Sequence, residues 1–310
     1  MAAEQFETSS KKGRGRSQKS IDLIEAMIEI GRGAQPITVR GIGYKLFTRG
    51  LIPSMGRSDM QRVYRLCKEA REQGLIPWEW IVDEAREFEC TPSWDDPEAF
   101  ARSVSRQYRR DFWNYQPVRC EVWSEKGTLR GVLAPVLKEY GVGFRVMHGF
   151  SSATVVHDIA EDDDGRELMA LYVGDWDPSG LYMSERDLPD RLEKYEGDHV
   201  EVNRVALVRH QLTDLPFFPA ADKRRDPRYK WFVENHGNRC WEIDALDPNV
   251  LRDCVEKEIK SLIDPDEWDR LKIVNNAERA SLREILSRWS DTTVILDCAG
   301  CAAHPNKAAT

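Results

Sequence analysis

Two patterns in the sequence predict an α/β chain with a helical N-terminal part. Between residues 118 and 208, short apolar runs alternate with stretches of helical length in the order β-α-β-α-β-α-β. That alternation builds a parallel sheet flanked by helices. Residues 20–82 instead hold three helical stretches and one short extended segment, the outline of a winged helix-turn-helix. Hydrophobic residues make up 41% of the 310, enough for a core and against wholesale disorder.

The elements follow in order. Residues 1–18 carry Lys11, Lys12, Arg14 and Arg16 among Gly and Ser, which reads as a disordered basic arm or a solubilising tail. Residues 19–95 form the expected winged helix. Ile21, Ile24 and Ile28, flanked by Leu23 and Met27, make the apolar face of its first helix, which Gly31 and Gly33 end. A short segment covers residues 38–49. Ser58 is placed to cap a third helix, with Met60, Val63, Tyr64, Cys67 and Ala70 at helical spacing and Gly74 closing it. Residues 75–82 read as a short strand or wing.

Residues 96–117 are a basic connector, helical over 98–113. Arg102, Arg106, Arg109 and Arg110 have no acid among them, so a phosphate-facing surface and an ordinary solvated face are equally consistent. The parallel sheet spans 118–215. Its strands are expected at 118–124, 144–147, 168–174 and 202–208, with helices at 126–140, 152–161 and 179–195 between them. Residues 168–174 are almost wholly apolar, as suits a strand buried on both faces. Residues 216–310 form a helical C-terminal extension, with helices near 225–236, 247–262 and 276–289 and a frayed tail.

Charge narrows the function. Lys and Arg number 45 against 53 Asp and Glu, a net charge of −8, which argues against coating nucleic acid by bulk charge and against a polybasic membrane anchor. The surplus is uneven: residues 157–167 hold six acids and one arginine, whereas 101–110 hold four arginines and no acid. No apolar run reaches the roughly 18–20 residues of a membrane span. The first residues show no apolar core of a secretory signal. Seven scattered cysteines suit reduced thiols in a cytosolic protein.

One string concentrates chemistry. Gly174-Asp175-Trp176-Asp177-Pro178-Ser179-Gly180 follows the most apolar strand, and open α/β sheets bind ligands beyond the carboxyl ends of their strands. Carboxylates at i and i+2 in extended chain point to one side and suit a hard cation such as Mg²⁺. The same residues suit an Asp-rich turn with a helix N-cap. Glu125-Lys126-Gly127 ends the first strand of the sheet. If strands one and three are neighbours, Glu125 joins Asp175 and Asp177, and three carboxylates repel unless a cation or a proton relieves them.

The strings EVWSEKGTL and LYVGDWDPSGL resemble the Toprim domain of topoisomerases, primases and some nucleases. They are most similar to the version in the topoisomerase VI A subunit and its meiotic double-strand-break relatives. In that family a winged helix precedes the Toprim domain, the same order as here. The winged helix carries a catalytic tyrosine in an Arg-acidic-x-Tyr-Tyr string. In Thr38-Val39-Arg40-Gly41-Ile42-Gly43-Tyr44, Arg40 matches the arginine and Tyr44 the nucleophile, while Gly41 and Gly43 replace the other two motif residues. The resemblance covers residues 20–215 and implies a Toprim-type sheet over 118–215. It also implies Mg²⁺ at Glu125, Asp175 and Asp177, with Glu125 as ligand or general acid–base.

The expected activity is therefore Mg²⁺-dependent cleavage of double-stranded DNA by tyrosine transesterification. It implies a homodimer, with a separate ATPase subunit as a possible partner, in the cytoplasm at the nucleoid. A Toprim nuclease using water and a DNA-binding regulator with a vestigial acidic site are the alternatives.

Other features rank lower. His148 to Ser152 could present backbone N–H groups to phosphate or simply cap a helix. Lys223, Arg224 and Arg225, with Arg228 and Lys230, form a basic patch that suits DNA or an exposed loop. Glu242 and Asp244 repeat the i, i+2 spacing and read either as auxiliary carboxylates or as a strand edge. Cys298, Cys301 and His304 supply too few ligands for zinc.

Overall fold

The computed structural model describes residues 17–82, 91–147 and 153–290, with side chains through 287. Residues 1–16 of the expected basic arm, residues 148–152 and the Cys298/Cys301/His304 group lie outside the described residues, whereas Ser17 and Gln18 of that arm already begin the first helix. The chain divides into two compact units, residues 1–86 with 113–263 and residues 87–112 with 264–310.

The first unit opens with α1 (Gln18–Ala34), β1 (Ile37–Thr38), α2 (Val39–Thr48), α3 (Arg57–Glu72) and β2 (Ile81–Val82). The apolar spacing read from the sequence is the core here: Leu23, Ile24 and Met27 of α1 pack with Ile42 and Leu46 of α2 and Met60, Val63 and Cys67 of α3. The short segment at 38–49 is a full helix, because Thr38 accepts a hydrogen bond from the Gly41 N–H at 2.9 Å and caps it. The third helix starts earlier than expected, at Arg57, with Gly56 and not Ser58 at the N-cap. The extended segment after α3 is shorter than a wing. Trp78–Trp80 forms a 3₁₀ turn, and Ile81–Val82 pairs parallel with Ile37–Thr38. The three helices are thus present, without a hairpin wing among the described residues.

After α4 (Pro97–Gln107), which belongs to the second unit, the chain enters β3 (Arg119–Ser124), α5 (Leu129–Tyr140), β4 (Gly143–Val146), α6 (Ala153–Glu161) and β5 (Leu168–Val173). Next come α7 (Pro178–Tyr182), a π-helical turn over Met183–Asp187, α8 (Leu188–Lys194) and β6 (Val200–Ala206). The sheet is four-stranded and all parallel, in the order β4-β3-β5-β6. The two central strands bury Trp123, Ala170 and Tyr172 completely, as strands covered on both faces do. Gly141, at φ 67°, ends α5 in the left-handed region that glycine tolerates.

A strand pair, β7 (Phe218–Pro219) with β8 (Arg239–Cys240), brackets α9 (Tyr229–His236), and α10 (Pro248–Ser261) completes the first unit. In the second unit α4 packs on α11 (Pro265–Ser290). Asp96 caps α4 by accepting the Ala99 N–H at 2.6 Å, and Pro97 occupies the first turn. α4 ends at Gln107, so the expected helix through residue 113 is shorter and its arginines do not share one continuous face. None of the described helices is long and apolar enough to cross a membrane.

Candidate functional site

Strand order decides the site. Because β3 pairs directly with β5, with Trp123 opposite Tyr172, the residues that follow both strands leave the sheet side by side. Glu125 follows β3 by one residue and Asp175 follows β5 by two. Glu125 is half-buried. Burial pushes its carboxyl above the ordinary carboxylate range, and the nearby charges of Asp177 and Asp175 push it further. Burial also raises Asp175, which Lys126 partly offsets. The three predicted carboxylates therefore feel one another.

The loop that carries the two aspartates is held from several sides. Gly174 exchanges backbone hydrogen bonds with Ala206 and Leu207, at 2.7 and 2.9 Å. The half-buried Arg204 guanidinium donates to the carbonyls of Gly174, Asp175 and Leu207, each at 3.0 Å, and to Ser184 Oγ at 2.9 Å. Trp176 and Trp241 exchange two backbone bonds of 2.9 Å. Asp177 is buried, and its Oδ1 accepts the Gly180 N–H at 2.8 Å as the N-cap of α7. Gly180 cannot carry a side chain at this approach, since a Cβ would stand 2.4 Å from the Asp175 carbonyl oxygen. The cap reading of the string thus holds for Asp177.

Two lysines answer the acids. Lys126 Nζ lies 2.9 Å from Asp175 Oδ1 and 3.0 Å from Asp244 Oδ2. Burial alone would lower this ammonium, but Asp175 and Asp244 outweigh it and hold it well above the ordinary lysine range. Lys223 Nζ lies 3.2 Å from Asp177 Oδ2. Lys223 therefore leaves the expected DNA-facing patch and turns to the acidic loop, while Arg224 and Arg225 are exposed.

The Trp241–Asp247 segment supplies residues that sequence spacing left ambiguous. It is a short 3₁₀ turn, not a strand edge, and the Ile243 N–H donates to Asp175 Oδ1 at 2.8 Å. Thr38 Oγ1 donates to Asp244 Oδ1 at 2.6 Å. Arg40 forms a bidentate pair with Glu242, and Lys45 pairs with Asp247. Three residues at the start and along α2 thus meet three acids of this segment. Between them opens a cavity of about 510 Å³, whose wall includes Arg40, Tyr64, Lys126, Asp175, Glu242 and Asp244.

Tyr44 is not on that wall. It is 5% exposed, with the Arg40 guanidinium 5.8 Å above its ring. Burial and the Glu242 carboxylate push its phenol far above the ordinary range, against the opposing pull of Arg40. Gly43 occupies the motif's first tyrosine position, where a Cβ would meet Met60 Sδ at 2.5 Å. The departure from the motif thus accompanies close packing of α2 on α3.

In the second unit, Arg102 and Arg106 line a groove with Arg283 of α11. Arg102 also pairs with Glu98 at 2.6 Å. Arg110 lies beyond the helix and donates to Glu278 at 2.9 Å, and Arg109 stacks 5.8 Å from the Phe112 ring. The four-arginine face expected from spacing is therefore two arginines on α4 and two beyond it, one of them spent on an internal ion pair.

The donor set suits a hard cation in kind: three carboxylates and neither sulfur nor imidazole. Glu125 is the carboxylate that no hydrogen bond or ion pair engages among the described residues. Yet among the described residues no three His, Cys, Asp or Glu side chains are gathered closely enough to hold one metal ion. The structure brings the three acids into one field without closing them into a ligand shell, and lysines stand against two of them. No known protein family, curated protein or solved structure matches the chain.

Proposed function

We propose that this chain cleaves DNA phosphodiesters with Mg²⁺, as a topoisomerase VI A-like enzyme with a Toprim-type acidic site and a winged-helix-like N-terminal part. One observation carries the reading. Adjacency of β3 and β5 sets Glu125 against Asp175 and Asp177, at a charge cost that burial increases and that a bound cation would relieve. Acids held this way, at the carboxyl ends of parallel strands, are poised for a ligand rather than for stability.

Glu125, Asp175 and Asp177 Oδ2 would hold the ion, with Lys126 and Lys223 yielding their contacts. When bound, Mg²⁺ neutralises charge on the scissile phosphate and favours in-line attack. The rest is the protein's own work. Arg204 fixes the backbone of the acidic loop, Asp177 anchors it to α7, and Lys126 balances Asp175 against Asp244. In the transesterification reading a tyrosine phenol is the nucleophile. Double-stranded DNA is the substrate, a homodimer the working form and a separate ATPase subunit a further partner.

Hydrolysis by water is the second reading, and the burial of Tyr44 favours it. The test is cleavage of supercoiled plasmid with and without Mg²⁺, with Asp175→Asn as control. Mg²⁺-dependent cleavage lost in Asp175→Asn supports the proposal. Protein covalently joined to the ends selects transesterification, and free ends select hydrolysis. DNA binding without cleavage would point to a regulator and overturn it.

A further inference from the structure

We infer that, within the transesterification reading, the attacking residue is Tyr64 and not Tyr44. The inference rests on that reading and on where the two phenols lie. A nucleophile must reach a phosphorus on a bulky polyanion, so its oxygen has to open onto the cleft that receives the backbone. Tyr44 is 5% exposed, whereas Tyr64 is 46% exposed. Tyr64 sits on the outer face of α3, away from the buried stripe of Met60, Val63, Leu66 and Cys67. It shares the wall of the 510 Å³ cavity with Arg40, Lys126 and Asp175. Asp175, one of the three acids, and a reachable phenol therefore line one cavity of one chain.

The surroundings suit the step. Arg40 and Lys126 stand on that wall, paired with Glu242 and with Asp175 and Asp244, and when phosphate draws them from those acids their charge stabilises a developing phenolate and a phosphorane-like transition state. Tyr44 feels the same Arg40, Lys126 and Glu242, and its burial is what most opposes ionisation. In the step, Tyr64 Oη bonds to phosphorus and the bond from phosphorus to one deoxyribose oxygen breaks. The phenolic proton passes to water, and the departing sugar oxygen takes a proton back. No oxidant, reductant or second substrate is consumed, and the phosphotyrosyl bond keeps the energy for resealing.

The experiment maps the adduct. The full chain is incubated with supercoiled plasmid and Mg²⁺, denatured, digested with nuclease and protease, and its tyrosine peptides are weighed. The expected result is a nucleotide mass on Tyr64, lost at least ~100-fold in Tyr64→Phe and retained in Tyr44→Phe. Tyr64→Phe removes one exposed hydroxyl, and an unchanged circular dichroism spectrum checks its fold. An adduct on Tyr44, or one that survives Tyr64→Phe, overturns the inference while leaving transesterification standing. Cleaved ends with no adduct in the wild type overturn transesterification, and the inference with it.

Discussion

At the scale of the residue, Glu125 is the group whose chemistry and stability pull in opposite directions. Burial, Asp177 and Asp175 raise its carboxyl, so folding favours its protonated form more than the unfolded chain does. A raised acid contributes stability that is complete below its unfolded pKa and is lost as pH rises through the folded value. Near neutrality, then, the ionised side chain is a burden that Glu125→Gln removes. The variant is expected to melt at a higher temperature than the wild type. Thermal melts of the metal-free chain at neutral pH and near pH 4 check it: the gain shrinks at the acid end. Equal melting temperatures at both ends would show that the acids do not repel. The sequence displayed this residue and its two partners, because a strand end and an i, i+2 pair are local signals. It could not display Arg204 or Lys126 in their roles, since an arginine in a strand and a lysine after a glutamate have no local signature.

At the scale of the element, the turn into α7 carries the site. Asp177 caps the helix, Pro178 opens it and Gly180 lies under the Asp175 carbonyl. Gly180→Ala forces a Cβ to 2.4 Å from that oxygen, and the loop must shift. A loss of about 2–3 kcal/mol is expected, with cleavage lost beyond what the stability change explains. Chemical denaturation and plasmid cleavage measured on the same preparation check both. Apolar runs revealed the strands, and amphipathic spacing revealed α5. The Trp241–Asp247 segment was harder to read. Its position depends on the Trp176–Trp241 bridge, a pairing 65 positions apart in sequence, and its two acids looked the same as any alternating edge. The 96–117 connector misled in a different way: its arginine spacing assumed a helix that stops at Gln107.

At the scale of the whole molecule, a net charge of −8 averages over separate surfaces. Part of the acid surplus is solvent-facing at residues 158–164. Part is spent internally, where Glu242, Asp244 and Asp247 meet Arg40, Lys126 and Lys45. The second unit instead presents Arg102, Arg106 and Arg283 along one groove. If that groove meets phosphates, the double variant Arg102→Ala/Arg106→Ala weakens DNA binding at all sequences alike. It also flattens the dependence of log affinity on log salt by about 2. Binding isotherms at several salt concentrations check this, and an unchanged slope would remove the groove from the DNA surface.

The account's central claim is that Glu125, Asp175 and Asp177 form a cation-dependent cleavage site. Its most direct test compares cleavage of supercoiled plasmid by the wild type and by Glu125→Gln across a Mg²⁺ titration. The account predicts that the wild type cleaves only with Mg²⁺ and that Glu125→Gln, although no less stable, cleaves at least ~100-fold more slowly. Cleavage by Glu125→Gln at the wild-type rate, or wild-type cleavage that persists in chelator, would contradict it.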